Sequence, residues 1–407
     1  MPDPLQNKNI LIGVTGSIAA YKAADLASKL TQAGAAVDVI LTPAARRFIT
    51  QLTFQSVTGR KAFTEDDLWG GEGHVRHIGL GMSGDVLLVA PASADTIAKL
   101  AHGIADNLLC ITALAARCPL VVAPAMDGGM FTHPATQANL ETLRLRGAAI
   151  LGPGEGRMAS GLVGKGRMLE PDEILAAVRW QFSRGGAFAG VRVLVTAGGT
   201  QEPIDPVRVI TNRSSGRQGY ALAQAALNGG ADVVLIHTPT GLPIPFGAEE
   251  VGVCTAAEMQ QAVLEQAAQA DVVIMAAAVA DFRPVSVALN KIKKAGGIPE
   301  IHLEPTEDIL AALARQLADS LRPRVVVGFA AESQDLIANA AAKLAAKRLD
   351  LIVANDISAQ DAGFVVPNNR VVLLFPDGRT QALPLMRKSE VAEAILNEVK
   401  GLLGKIQ

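Results

Sequence analysis

The sequence predicts an α/β protein of two consecutive domains, each a parallel sheet with helices on both faces. Three observations predict it. Short apolar runs of strand character alternate with helix-period runs along most of the chain. The alternation fades into Ser183-Arg184-Gly185-Gly186 and restarts at Val191. The apolar mass is Ala, Val, Leu and Ile: 49% of residues are hydrophobic and only 4% aromatic, which suits α/β layers better than an aromatic-rich sandwich. At 407 residues the chain has room for about two or three domains. A boundary near residue 188 divides it into 1–188 and 189–407.

In the first half a strand over 9–14 runs into the turn Thr15-Gly16-Ser17. A helix over 19–30 follows, closed by Gly34, and then a strand over 36–41. The pattern recurs at a strand over 85–90 leading into Pro91-Ala92-Ser93, and at one over 120–123 leading into Pro124-Ala125-Met126. Apolar strands between helices mean a sheet buried on both faces. Residues 152–168 are Gly-rich with almost no periodicity, and are expected to be a long mobile loop of functional kind. A helix over 171–182 completes the half. In the second half strands are expected at 191–196, 232–236, 271–275, 324–329 and 350–353. A hairpin follows at 371–375 and 381–385 around Asp377-Gly378, and a closing helix from Ser389.

The balance of 37 Lys+Arg against 39 Asp+Glu, a net of -2, does not fit a nucleic-acid binder. No stretch approaches the roughly 18 to 20 apolar residues of a membrane helix. The start, MPDPLQNKNILIG, has no signal-peptide pattern. Cys110, Cys118 and Cys254 show no CxxC spacing and read as small buried apolar residues. The expected location is the cytoplasm.

A Gly-rich turn after a first strand cradles phosphate, because helix N-terminal amides point at the anion. The turn 13–19 is not G-x-G-x-x-G, and Leu41-Thr42-Pro43 lacks the ribose-binding acid of a nicotinamide site. Hydroxyls at Thr15, Ser17 and Thr42 suit a mononucleotide phosphate such as that of FMN. An ordinary tight turn would look the same in isolation. Two further turns, 91–96 and 124–127, also follow buried strands, and ligands of open α/β sheets sit at the strands' carboxyl ends. The three describe one crevice.

These segments carry a resemblance. Residues 16–22 (GSIAAYK), 76–78 (RHI), 91–96 (PASADT), 103–109 (GIADNLL) and 124–126 (PAM) resemble the FMN-dependent phosphopantothenoylcysteine decarboxylases. Residues 205–208 (DPVR), 211–216 (TNRSSG), 276–281 (AAAVAD), 291–294 (KIKK) and 328–332 (GFAAE) resemble the CTP-dependent phosphopantothenate–cysteine ligases. The order of the halves is similar to that of bifunctional bacterial coenzyme A biosynthesis proteins, over about residues 8–400. The resemblance implies a flavodoxin-like parallel-sheet flavoprotein domain followed by a Rossmann-like ligase domain. The implied substrates are 4'-phosphopantothenate, L-cysteine and CTP. The implied assembly is a dodecamer of trimeric flavin domains and dimeric ligase domains.

For the ligase half the resemblance implies activation of a carboxylate as an acyl-cytidylate, which needs cations about a triphosphate and close backbone approach. Ala276, Ala277 and Ala278 offer that approach, Asp281 is the candidate for Mg²⁺, and Lys291, Lys343 and Lys347 would meet phosphate oxygens. Lys343 and Lys347 share a helix face at i,i+4, a spacing also common on solvated faces. Phe329 would pack on cytosine, and Asp308 and Ile309 complete the nucleotide set. Asn212 and Arg208 match the positions that handle the acyl-cytidylate, although Asn before Arg-Ser-Ser-Gly is often only a turn residue.

For the decarboxylase half, flavin would oxidise the thiol-bearing carbon and so create the electron sink that loss of CO₂ requires. His77 matches the active-site base. Gly16, Ser17, Thr42, Ser93, Ala94 and Met126 would hold the flavin, with Asn107 and Met130 toward substrate; Met130 as core filler is the plain alternative. Two positions depart from the family. Its usual Pro-Ala-Met-Asn ends in Asp127 here, a charge that would repel a substrate carboxylate unless protonated or paired. Its flap Ala-Cys-Gly reads Ala159-Ser160-Gly161, so a thiol of pKa about 8.5 is replaced by a far weaker acid. Ser160 would then act by hydrogen bonding, or His102, His133 or a protonated Asp127 would supply the proton. The expectation is a variant but active decarboxylase. The rival readings are a ligase fused to a non-catalytic flavin domain, and a nicotinamide oxidoreductase fused to a binding domain.

Overall fold

The computed structural model describes residues 3–68, 76–293, 299–316, 322–332, 334–356, 366 and 368–405. Lys294 of the 291–294 motif lies outside the described residues. The chain divides into two compact units, Pro2–Phe182 and Ser183–Gln407.

The first unit runs β1 (Asn9–Val14), α1 (Ala20–Gln32), β2 (Ala36–Leu41), α2 (Gln51–Thr58), β3 (Ala62–Phe63), α3 (Arg76–Ser83), β4 (Val86–Ala92), α4 (Ala94–His102), α5 (Leu108–Ala115), β5 (Leu120–Pro124), α6 (Gly128–Thr132), α7 (Pro134–Leu145) and β6 (Ala149–Ile150). A hairpin of β7 (Gly154–Arg157) and β8 (Val163–Arg167) and then α8 (Pro171–Ser183) follow. Among the described residues six parallel strands form one sheet in the order β3-β2-β1-β4-β5-β6. Successive strand residues feed opposite cores, as the two-residue strand period requires. Ile10, Ile12 and Val14 pack with α1 and α8, whereas Leu11, Leu87 and Val89 pack with α4, α5 and α7. Each such buried side chain contributes about 1.5–3 kcal/mol. This double burial makes the strands read as unbroken apolar runs.

Residues 152–168 are not irregular throughout, as the sequence suggested. They contain the antiparallel β7–β8 hairpin. Its two-residue period alternates glycine with charge rather than apolar with polar, so hydrophobic patterning misses it. The glycines are needed: Gly166 lies at φ 149°, and a Cβ there would collide with the Met126 carbonyl.

The second unit runs β9 (Arg192–Ala197), β10 (Gln201–Pro203), β11 (Val209–Thr211), α9 (Arg217–Asn228), β12 (Asp232–His237), β13 (Glu249–Gly252), α10 (Ala256–Ala267), β14 (Val272–Met275), β15 (Phe282–Pro284), β16 (Leu303–Pro305) and α11 (Ile309–Gln316). It continues with β17 (Val325–Glu332), α12 (Leu336–Ala346), β18 (Leu351–Asp356), β19 (Asn368–Asn369), β20 (Val371–Leu374), β21 (Thr380–Ala382), β22 (Met386–Arg387) and α13 (Lys388–Lys405). The main sheet has the order β13-β12-β9-β14-β17-β18-β20-β21, parallel up to β18 and antiparallel beyond it. The expected hairpin forms, with Gly378 at φ 84° in its turn. Leu194, Val234, Ile236 and Val273 face α10 and α11, and Leu310 and Val326 extend that layer to α12. The alternate residues Val193, Val195, Val233 and Leu235 are equally buried, on the face that α9 and α13 cover.

Of the three cysteines, Cys110 is buried and Cys118 half-buried. Cys254 is exposed, against expectation, because it lies at the surface end of β13 just before α10 rather than in a core layer.

Candidate active sites

Both sheets reverse direction beside their first strand. In the first unit the chain leaves β1 for β2 and β3, then crosses back to β4; in the second it leaves β9 for β12 and β13, then returns to β14. Helices diverge there to opposite faces and leave a crevice at the strands' carboxyl ends. Each unit has a cavity at that point.

The first cavity, about 620 Å³, is lined by Gly16, Ser17, Ser93, Ala94, Met126, Asp127, Met130 and Ser160, among others. Thr15 ties the first two turns together: its Oγ1 donates to the Pro91 carbonyl at 2.7 Å and accepts from the Ser93 amide at 2.9 Å. Ser93 caps α4 by accepting from the Thr96 amide. Gly16 has no room for a side chain, since a Cβ would stand 2.5 Å from that of Ala44. The hairpin meets the third turn, where the Met126 amide donates to the Gly166 carbonyl at 3.0 Å. Lys22, buried on α1, secures the hairpin's exit by bonding the Met168 carbonyl at 3.1 Å and Glu170 at 2.9 Å. The sequence reading missed Lys22; a lysine on the apolar stripe of a helix was the available signal.

The two positions that depart from the family touch each other. Ser160 Oγ donates to Asp127 Oδ2 at 2.7 Å, while Asp127 Oδ1 accepts from the Gly129 amide and caps α6. The Ser160 hydroxyl, with the Gly129 amide, holds the Asp127 carboxyl below its ordinary range. Asp127 is therefore an anion at neutral pH in this arrangement, not an acid with a proton to give.

Other expected residues lie outside this cavity's lining. Thr42 accepts from the Ala45 amide, Asn107 caps α5 through the Cys110 amide, and His133 Nδ1 accepts from the Ala135 amide. His102 bonds Asn139 at 3.0 Å. His77 stands on α3, with a buried Nδ1 that has no hydrogen-bond partner among the described residues.

The second cavity, about 600 Å³, gathers Asn212, Ala276, Ala277, Ala278, Asp281, Asp308, Ile309, Phe329, Lys343 and Lys347. The small-residue turn is held open by backbone ties, with the Ala278 amide donating to Gly198 and the Ala280 amide to Thr200 Oγ1. Asn212 Nδ2 donates to the carbonyls of Ala278 and Val279 at 3.3 and 3.0 Å. Lys343 pairs with Glu332 at 2.6 Å and Lys347 with Asp308 at 2.9 Å. Burial, the largest single influence, acts to raise the Asp308 carboxyl, but the bond and charge of Lys347 together with the Ala311 and Leu310 amides outweigh it and the net shift is downward. Lys291 and Arg208 do not line this cavity. Arg208 instead pairs with buried Asp205 at 3.1 Å and donates to the Ile292 carbonyl at 3.2 Å, tying down the segment beside Lys291.

Two doubly wound domains, one with a roofed cavity of flavin size and one with a cationic crevice, define a bifunctional α/β enzyme. Comparison with known proteins agrees. The flavoprotein family matches residues 1–183, and the DNA/pantothenate metabolism flavoprotein C-terminal domain matches residues 188–402. The chain is 45% identical over 401 residues to the coenzyme A biosynthesis bifunctional protein CoaBC of Bacillus subtilis, covering 98% of both chains. It is 44% identical over 404 residues to that of Vibrio vulnificus, covering 98% of this chain and 99% of the other. The crystal structure of the C-terminal domain of a CoaBC protein aligns with 54% of this chain and all of its own, at 39% identity and TM-score 0.46. The chain belongs to the CoaBC family of coenzyme A biosynthesis bifunctional proteins. Among the described residues no helix is long and apolar enough to cross a membrane.

Proposed function

We propose that residues 189–407 join 4'-phosphopantothenate to L-cysteine, with CTP as co-substrate, and that residues 1–188 decarboxylate the product to 4'-phosphopantetheine. The observation that carries this reading is the convergence, in one crevice, of Asn212, the 276–278 turn, Asp281, Asp308, Phe329, Lys343 and Lys347. Phe329 offers a face for cytosine, and the small-residue turn admits the sugar-phosphate chain against backbone. Lys343 and Lys347 exchange their carboxylate partners for nucleotide oxygens, with Lys291 and Arg208 reaching in from the neighbouring segment. The Asn212 amide stands beside the reacting acyl carbon and stabilises charge developing on its oxygen. Asp281, exposed at the rim, suits Mg²⁺, which is often held by one carboxylate together with substrate phosphates.

The first cavity fits FMN. Gly16 and Ser17 before α1, and Ser93 and Ala94 at the start of α4, place two helix N-terminal turns at one anion position, with Thr42 nearby. FMN, when bound, supplies the reversible oxidation that turns the thiol-bearing carbon into an electron sink. Met126 and Met130 line that position, and the Ser160–Asp127 bond holds the hairpin tip to the third turn.

His77 and Asn107 lie outside the cavity of their own chain, which supports a site completed by a neighbouring copy. The exposed side chains of Ile18, Tyr21, Phe48 and Leu52 support the same association. Trimeric flavin domains and dimeric ligase domains then make a dodecamer, with His77 as the base and Asn107 toward substrate. A reaction that draws on nucleotide co-substrates supports a cytoplasmic location. The test supplies purified protein with 4'-phosphopantothenate, L-cysteine, CTP and Mg²⁺, and follows products by mass spectrometry. Phosphopantetheine is expected. Accumulated phosphopantothenoylcysteine would mean a ligase fused to a flavin domain silenced by Asp127 and Ser160, and no product at all would sink both halves.

A further inference from the structure

Two buried polar atoms of the first unit have no role in the reading so far. His77 Nδ1 and Thr112 Oγ1 are both buried, and neither has a hydrogen-bond partner among the described residues. Thr112 is 0% exposed. Buried polar atoms are ordinarily satisfied, so each orphan calls for a partner. No ligand or neighbouring copy can supply it, because neither atom is open to the surface. The partner has to come from inside the unit.

The packing of α3 on α5 brings the two together. α3 leads into β4 and α5 into β5, and these strands are parallel neighbours. Leu80 of α3 and Leu108 and Leu109 of α5 enter one core layer, so the two helices lie side by side and run in the same direction. They touch at Gly81, where a Cβ would stand 3.0 Å from the Thr112 carbonyl oxygen and 3.0 Å from the Ala116 nitrogen. His77 lies one turn before Gly81 on the same side of α3. Side chains of a helix tilt toward its N-terminus, so the Thr112 hydroxyl reaches back along α5 toward the level of His77.

The polar side chains around the start of α5 are otherwise engaged. Glu65 Oε2 accepts from the Leu108 amide at 2.9 Å, Asn107 Oδ1 accepts from the Cys110 amide at 3.0 Å, and the Arg76 guanidinium stands 5.6 Å from the Phe63 ring centre. A threonine inside a helix can give its proton to the carbonyl four residues back, here that of Leu108, and still accept on the same oxygen. An imidazole that carries its hydrogen on Nδ1 can donate to that oxygen. The bond made by one ring nitrogen decides the state of the other, so Nε2 is left with the lone pair a base requires.

We propose that Thr112 is a positioning residue for His77: its buried hydroxyl accepts the Nδ1 hydrogen, fixes the ring and keeps Nε2 as the proton acceptor. This deepens the decarboxylase reading and rests on it for the role of His77.

Steady-state decarboxylation of 4'-phosphopantothenoylcysteine by the full-length, flavin-loaded chain tests this. Rates are taken per bound flavin, so a variant that loads poorly is still read, and ligation in the same sample reports folding. Thr112→Val keeps the branched shape and removes the hydroxyl. It should lower kcat by roughly tenfold to a hundredfold with KM unchanged, the cost of a base left unoriented. Thr112→Ser keeps the hydroxyl and should stay within a few-fold of wild type. The cost of Thr112→Val should vanish in a His77→Asn background, because the hydroxyl acts only through the ring. Nitrogen NMR of the chain labelled at its histidine rings adds a readout that needs no turnover: the signal that His77→Asn removes should show hydrogen on Nδ1, and Thr112→Val should move that signal. Thr112→Val as fast as wild type, with its histidine signals unmoved, would overturn the inference, and so would Thr112→Ser as slow as Thr112→Val. Either result leaves the decarboxylase reading standing if His77→Asn is inactive. Full decarboxylation by His77→Asn would sink His77 as the base, and the inference with it.

Discussion

The crevice beyond β1 and β4 and the crevice beyond β9 and β14 occupy equivalent positions in two doubly wound sheets. Their walls differ. The first is lined by Met126, Met130, Met158 and Met168 with Ile18 and Phe48, and a hairpin reaches its third turn. The second is lined by Asp281, Asp308, Lys343, Lys347, Arg217 and Lys388. The sheet supplies an address and the loops supply the chemistry. An apolar wall with a cover suits a flat ring and a step that excludes water. A cationic wall with a small-residue turn suits polyphosphate and an acyl group.

The largest effects should come from the glycines that let each wall close, and they should separate the halves. Gly166→Val drives a side chain into the Met126 carbonyl and lifts the hairpin. Decarboxylation should fall by about a hundredfold, the usual cost of a misplaced wall, with ligation unchanged in the same sample. Gly219→Val should do the reverse, because its Cβ would stand 2.5 Å from that of Ala197 and 2.8 Å from the Thr196 carbonyl. Overpacking there costs about 1–3 kcal/mol, visible as a lower melting temperature together with lost ligation. If either change harmed both products equally, the two crevices would not be independent.

A smaller effect is expected at Lys347→Met. On the proposed ligase reading the substitution removes a nucleotide contact, and it parts Asp308 from its ion-pair partner in the same wall. The KM for CTP should rise by roughly tenfold with little change in kcat, as for a contact made equally in ground and transition states.

The smallest effects concern Ser160. Ser160→Ala should slow decarboxylation only a few-fold, since the hydroxyl steadies the hairpin tip on Asp127 rather than giving up a proton. The pH dependence follows from the sign of the shift. The Asp127 carboxyl lies below its ordinary value of about 3.9, so the bond is present above that value and is lost only as pH falls through the lowered one. The ratio of wild-type to Ser160→Ala rates should therefore stay flat between about pH 6 and 8. A ratio that changes tenfold across that window would assign Ser160 or Asp127 a titrating role.

Much of this architecture was legible in the sequence, for an identifiable reason. β1, β2, β9 and β14 are buried on both faces, so they appear as apolar runs, and the small or polar turns after them mark the crevices. The wall of the second crevice was legible for a related reason: the 276–278 turn lies just beyond the end of β14, and Phe329 lies within β17 just past its last pair with β14. What escaped has no local pattern. The β7–β8 hairpin alternates glycine with charge, and the ribbons β10–β11 and β15–β16 have strands of three residues each. The contact of Ser160 with Asp127 spans 33 positions, and each residue, read alone, was only a departure from a family pattern.

The central claim is that the first crevice still performs its reaction with Asp127 and Ser160 in place. The most direct measurement gives the purified chain 4'-phosphopantothenoylcysteine alone, without CTP, and follows carbon dioxide and 4'-phosphopantetheine with the bound flavin monitored by absorbance. The account predicts both products at matched rates, with Ser160→Cys no more than a few-fold faster. Intact substrate beside a fully loaded flavin, with turnover appearing only in Ser160→Cys, would contradict it.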